Sequence, residues 1–194
     1  SYIKRILNAQ VYDVARETPL DAAPLLSARL GNQAFLKRED LQPVFSFKCR
    51  GAYNKMVHLD EAARAGGVVA ASAGNHAQGV ALAASKLGIK ATIVMPVTTP
   101  LIKVDAVKAL GAKVVMHGDS FDEAAVRARV LTESEGFTFI HPFDDPDVIA
   151  GQGTVAVELV RQAQQPLDYV FVCCGGGGLL AGMAAYLRYV WPQA

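Results

Sequence analysis

Cysteine is scarce in these 194 residues. There are three, Cys49 alone and Cys173 and Cys174 adjacent, a pattern that fits neither a disulfide framework nor metal-ligand spacing. A reduced, cytoplasmic protein without a bound metal is expected. Long apolar runs are missing too: none approaches the ~20 residues that cross a bilayer, and residues 1–16 mix polar and apolar side chains unlike a signal peptide. Neither sign of charge prevails, since 19 Lys/Arg against 18 Asp/Glu leave a formal net charge of +1. The densest basic pair, Lys37-Arg38, is followed at once by Glu39-Asp40 and reads as self-neutralising. Neither nucleic acid nor membrane is therefore expected as a partner. Internal repeats, low-complexity linkers and the G-x-S-x-G, H-E-x-x-H and Walker lysine motifs are absent as well. What is present is globular: 52% hydrophobic and 19% charged residues, enough for a substantial core.

From Gly66 onward short β-branched runs alternate with helical patterns. Strands are expected at 67–71, 90–95, 113–117 and 138–140, and helices at 75–87, 101–110 and 120–133, the last opened by the capping-box spacing Ser120 to Glu123. This is the signature of parallel β-α units with helices on both faces, an α/β fold. Further on, a helix is expected at 148–164, a buried strand at 167–173 and a helix at 179–190. Asp144, Asp145 and Asp147 around Pro146 read as turn and helix-start residues. Residues 52–139 are expected to close as a smaller α/β domain. Residues 1–51 and 140–194 then pair as a larger one, with strands at 35–38 and 167–173 and an incomplete sheet.

Three segments carry chemistry. Lys48, in Ser46-Phe47-Lys48-Cys49-Arg50-Gly51-Ala52, stands at the expected start of a helix. There the macrodipole disfavours a cation, so a neutral amine acting as nucleophile and then base is one reading and a solvated surface lysine the other. Ser72-Ala73-Gly74-Asn75-His76-Ala77-Gln78-Gly79 joins a strand to a helix, either as an anion site at the helix N-terminus or as ordinary capping. Its His76 reads as a hydrogen-bonded structural residue. Gly175-Gly176-Gly177-Gly178-Leu179 follows an apolar run and precedes a helix, as a phosphate cradle does, and four glycines exceed what a turn needs. Gly176-x-Gly178-x-x-Ala181 also matches a dinucleotide fingerprint, but no acidic residue follows Asp168 to hold a ribose.

All three segments, in this order, closely resemble the threonine dehydratases (threonine ammonia-lyases) among the fold-type II pyridoxal-phosphate enzymes. The resemblance extends to Lys37-Arg38-Glu39-Asp40-Leu41-Gln42-Pro43, Ile93-Val94-Met95-Pro96, Lys103-Val104-Asp105-Ala106-Val107, and Pro142-Phe143-Asp144 through Val148-Ile149-Ala150-Gly151-Gln152-Gly153-Thr154. It favours the biosynthetic branch, which commits threonine to isoleucine, over serine racemases and catabolic serine/threonine dehydratases. It implies two doubly wound parallel-sheet domains, the larger one incomplete here. It also implies pyridoxal 5'-phosphate held by Lys48 as a Schiff base, Phe47 packed on the pyridine ring and Asn75 on its phenolic oxygen. Ser72, Ala73, Gly74, Asn75 and His76 would bind the substrate carboxylate, and Gly175, Gly176, Gly177, Gly178 and Leu179 the phosphate. The substrate implied is L-threonine, with L-serine poorer, in a homo-oligomer. Because the family's catalytic domain and isoleucine-sensing region run longer, the chain is expected to be a fragment prone to self-association and unresponsive to isoleucine. A non-catalytic cofactor-binding or structural piece is the reading from another class.

Overall fold

The computed structural model describes residues 1–163 and 165–193. In chain order the elements are α1 Tyr2–Leu7, β1 Leu20–Ala22, α2 Pro24–Leu30, β2 Phe35–Lys37, α3 Lys48–Val57, α4 Glu61–Gly66, β3 Val68–Ala71 and α5 Asn75–Leu87. They continue with β4 Ala91–Met95, α6 Leu101–Ala109, β5 Lys113–Met116, α7 Phe121–Glu135, β6 Thr138–Phe139, α8 Pro146–Gln162 and α9 Gly178–Val190.

The expected β-α series is present, each strand starting or ending within a residue or so of its expected bound. β3 to β6 form one parallel sheet in the order β5-β4-β3-β6, with Val68 opposite Ala91 on one side and Thr138 on the other. Every residue of β3 is buried because helices cover both faces. Val68 and Ala70 point into the cluster with Ala77, Val80, Ala81 and Ala84 of α5. Their neighbours Val69 and Ala71 meet Ala124, Ala128 and Leu131 of α7 on the other face. Period-2 side chains between two helical stripes are what a doubly wound sheet requires. Ser120 caps α7 by accepting from the Glu123 N–H, and Glu123 returns its carboxylate to the N–H of Asp119 rather than of Ser120, a capping box displaced by one residue.

The flanking region departs from expectation. Phe35–Lys37 does form a strand, but it pairs antiparallel with Leu20–Ala22 in a two-stranded ribbon. Residues 167–173, expected as a buried strand, form none. Tyr169 and Phe171 are exposed, while Val170 and Val172 lean on the α8–α9 cluster. Alternating apolar residues reported a half-packed extended segment. A strand also needs a neighbour to take its backbone hydrogen bonds, and among the described residues none lies beside it. The α/β class therefore holds, with a parallel sheet in residues 52–139 and helices predominating outside it.

Those helices pack at glycine contacts. α8 starts at Pro146, two residues before the expected bound, because the Asp145 carboxylate accepts from the N–H groups of Asp147 and Val148. Gln164, its expected last residue, lies outside the described residues. A Cβ at Gly151 would sit 2.7 Å from the Arg50 carbonyl oxygen of α3, and one at Gly182 would sit 2.4 Å from that of Ile149. Backbone on the far side cannot yield as a side chain tip would. Gly182→Ala is accordingly expected to pry α9 from α8 and lower unfolding free energy by about 1–3 kcal/mol. A urea titration showing no loss would contradict this packing.

Candidate active site

The topology itself marks a crevice. β4 and β5 lie to one side of β3 and β6 to the other, while the chain leaves β3 into α5 and β6 toward α8. At such a switch point, beyond the carboxyl ends of the strands, open α/β sheets bind ligands. The two segments leaving those strands are Ser72 to Gly74 and Ile140 to Phe143.

Lys48 is brought to this place by α3, which it opens. Its own N–H donates to Ser46 Oγ at 3.2 Å, and α5 crosses so close that a Cβ at Gly79 would lie 3.0 Å from the Lys48 carbonyl. The amine reaches Pro142, donating to its carbonyl oxygen at 2.5 Å, and sits 5.6 Å from the Phe47 ring centre. Burial pushes its pKa down, and the nearby Cys173 thiol opposes this only in part. The solvated-surface reading of Lys48 is set aside by that position. Neighbouring Cys49 is buried, its thiol pushed up to about 12 by desolvation and donating to the Ser46 carbonyl; it packs and does not react.

The ordinary-capping reading of the second segment also fails. The N-cap of α5 is Gly74, no side chain caps the helix, and Ser72 Oγ accepts from the Gly74 N–H at 3.2 Å instead. The first-turn N–H groups of Asn75, His76 and Ala77 thus have no intrahelical partner, and Asn75 is exposed. His76 is buried, and its Nε2 donates to the Ile140 carbonyl at 2.9 Å. Desolvation pushes it down to about 4, so it is a neutral structural donor at physiological pH.

The third segment lies on Phe143. A Cβ at Gly176 would run into the Phe143 ring at 2.2 Å, and one at Gly178 would meet the Phe143 carbonyl oxygen at 2.7 Å. Gly177 is the N-cap of α9 at φ +87°, and no side chain caps that helix either. Gly175 and Gly177 face open space, while Leu179 and Phe47 pack against the same α8–α9 apolar cluster. Lys48, α5 and the glycine run therefore converge on Ile140 to Phe143, a stretch to which the sequence reading gave the end of a strand and part of the family resemblance but no role in the site.

A second feature escaped sequence reasoning. In Lys37-Arg38-Glu39-Asp40 the charges do not simply cancel in place. Arg38 pairs outward with Asp40 and Asp21, while Lys37 and Glu39 turn inward. Glu39 grips Arg50, two residues after Lys48, through two bonds of 2.8 Å, and Glu158 of α8 grips it at 2.6 and 3.0 Å. Lys37 and Tyr12 complete the shell of Glu158. No strand alternation accounts for it, because the strand ends at Lys37 and Glu39–Leu41 form a 3-10 turn, so the inward aim of Glu39 is set by that turn.

Comparison with known proteins follows this geometry. A family model for pyridoxal-phosphate dependent enzymes matches residues 11–194. The chain belongs to that family. It is 62% identical over 192 residues to the Arabidopsis thaliana protein named threonine dehydratase biosynthetic, chloroplastic, covering 99% of this chain and 32% of that one. Among solved structures, the processed form of threonine deaminase isoform 2 from Solanum lycopersicum superposes with a TM-score of 0.96 at 53% identity, over 100% of this chain and 53% of that one. Maize serine racemase gives 0.94 at 36% identity, over 98% of this chain and 58% of that one. The chain thus spans about a third of the length of the Arabidopsis relative. The family's cofactor suits what the crevice offers. It has a half-buried amine whose charge is disfavoured, and two uncapped helix N-termini, one behind glycines where a side chain would collide with Phe143. Among the described residues no helix is long and apolar enough to cross a membrane.

Proposed function

We propose that this chain carries the lysine-bearing part of a pyridoxal-phosphate lyase that converts L-threonine to 2-oxobutanoate and ammonia, the entry step of isoleucine synthesis, with L-serine a poorer substrate. The observation that carries it is the Lys48 amine lodged against Pro142 O between an uncapped helix start and a glycine run. When bound, the cofactor supplies an aldehyde for covalent attachment and an electron sink for a substrate carbanion. Lys48, whose pKa partial burial lowers, provides the attacking amine and later holds the proton taken from the substrate α-carbon. Ser72, the loop residues Ala73 and Gly74, and the first-turn N–H groups of Asn75 and His76 would orient the substrate carboxylate, and the Asn75 side chain would take the ring oxygen. Phe47 packs on the ring. Gly175 to Gly178 and Leu179 hold the phosphate by backbone N–H groups at the positive end of α9. His76 commits its Nε2 to the Ile140 carbonyl and so is not assigned as the acid that protonates the departing hydroxyl.

The similarity to maize serine racemase supports a second reading, a serine-handling member of the family, though at 36% against 62% identity it ranks behind. A reducing compartment is supported by the free thiols Cys49, Cys173 and Cys174, and a homo-oligomer by the exposed Leu25, Leu30, Tyr169 and Phe171. Residues 52–139 form the smaller α/β domain, and residues 1–51 with 140–194 the larger one, incomplete in this chain. The test is the visible spectrum of the purified chain with pyridoxal phosphate, before and after borohydride. A yellow band that reduction fixes as a mass increment on the Lys48 peptide is expected, followed by 2-oxobutanoate release from threonine. A folded chain that gives no band would overturn the reading.

A further inference from the structure

We propose that His141 is the positioning residue of this site, its neutral imidazole closing the turn that presents the Pro142 carbonyl to Lys48 and the Phe143 ring to the glycine run. The ring Nδ1 accepts from the N–H groups of both Phe143 and Asp144, at 3.2 and 2.7 Å. An imidazole nitrogen that accepts twice carries no proton, so the hydrogen resides on Nε2 and the ring is uncharged. The ring also stands edge-on to Phe143, centroids 4.7 Å apart, with Phe139 at 6.1 Å on its other side. Pro142, lying between His141 and Phe143, has no N–H and a fixed φ, so the orientation of its carbonyl follows from the turn those two bonds close. That carbonyl is the acceptor of the Lys48 amine. One side chain thereby sets both the carbonyl that meets Lys48 and the ring that underlies the glycine run.

The charges facing the ring come from several elements. Asp144 and Asp145 lie on its own segment, Arg129 on α7 and Lys48 on α3, with the His76 ring of α5 close enough to couple to it. Burial, aided by Arg129 and Lys48, outweighs the two aspartates and holds the imidazole below its ordinary value of 6.5. The turn is thus intact at neutral pH. It loses both N–H bonds as pH falls through that lowered value, since a protonated Nδ1 cannot accept.

The inference rests on the proposed role of Lys48 but is tested without cofactor. In the 15N-labelled chain, the His141 imidazole is expected as the Nε2–H tautomer. The amide signals of Phe143 and Asp144 should shift together with its titration below pH 6.5. Amides that ignore that titration, or an Nδ1–H tautomer, would overturn the assignment. The rate of Lys48 modification by trinitrobenzenesulfonate, read by peptide mass spectrometry, gives the second arm. In His141→Ala the lost acceptor should let Lys48 react about tenfold faster, the worth of one hydrogen bond to a charged group. His141→Asn, whose Oδ1 takes the place of Nδ1, should restore the parent rate at neutral pH and leave only the pH dependence of the amine's own deprotonation. Equal rates in all three chains, or an Asn variant that behaves as Ala does, would sink the proposal. Should the Ala variant fail to fold, the amide titration of the parent chain decides alone. Because neither arm needs the cofactor, a missing yellow band would refute the proposed function and leave this result standing.

Discussion

Lys48→Ala is expected to abolish the borohydride-fixed adduct and to lower threonine turnover by at least about 10³-fold, because one amine serves as both covalent anchor and proton carrier. The fold should survive. Lys48 is the first residue of α3, where a cation opposes the macrodipole, and alanine is the better helix former there. The interactions lost are the bond to the Pro142 carbonyl and the approach of the amine to the Phe47 ring. Thermal midpoints within a few degrees of the parent, together with a vanished adduct, would assign the loss to chemistry. A variant that still shows a reduced, cofactor-sized increment on another lysine would refute the assignment of the anchor. Adding a small primary amine to Lys48→Ala should recover part of the turnover, since the crevice left by the side chain retains its carbonyl acceptor.

Arg50→Met is expected to cost about 3–5 kcal/mol of stability at neutral pH, the largest effect of any single change away from the crevice. The guanidinium is fully buried and donates to Glu39, Glu158, Thr154 Oγ1 and the Arg16 carbonyl. Burial disfavours its charge, yet the bonds to the two carboxylates more than offset that and raise its pKa. Desolvation likewise pushes the Glu158 carboxyl up, and Arg50 followed by Lys37 brings it down below its ordinary 4.5. Removing Arg50 strands two buried carboxylates with one ammonium. The sign of the pH dependence follows. In the parent, the stability from Glu158 is complete above pH 4.5 and is lost as pH falls through the lowered native value. In the variant burial prevails, the carboxyl protonates at a higher pH, and the gap between the two proteins narrows toward acid. Urea midpoints at pH 7 and pH 5 measure this. A loss below about 1 kcal/mol, or a gap that widens in acid, would contradict the network's role. Because Arg50 shares the first turn of α3 with Lys48, the same variant should also blunt the adduct yield of whatever fraction stays folded.

The β-α series was legible because each element announces itself locally. Val68 to Ala71 is short, apolar and followed by glycine and cap-type residues, and Asn75–Leu87 was bounded to the residue by its apolar stripe and the glycine after it. Residues 167–173 carried an equally good strand pattern and formed no strand, because pairing is a property of two segments and periodicity reports only one. The three chemical segments could be named from residue type and order. Their meeting point, Ile140 to Phe143, could not, since a carbonyl oxygen and a ring used as a floor have no residue code of their own.

By its order of residues this chain determined its α/β class and its membership of a pyridoxal-phosphate enzyme family, and it singled out the lysine proposed as reactive. Each depends on side-chain chemistry at fixed spacing along the backbone. Tertiary structure alone decided that the half-buried Lys48 reaches the Pro142 carbonyl and that no side chain caps α5 or α9. It also decided that Lys37 and Glu39 turn inward to hold Arg50 with Glu158, 121 residues beyond Lys37. Burial, and hence the charge state of a lysine or a histidine, is set by what other segments bring within a few ångströms, and no window of sequence contains that.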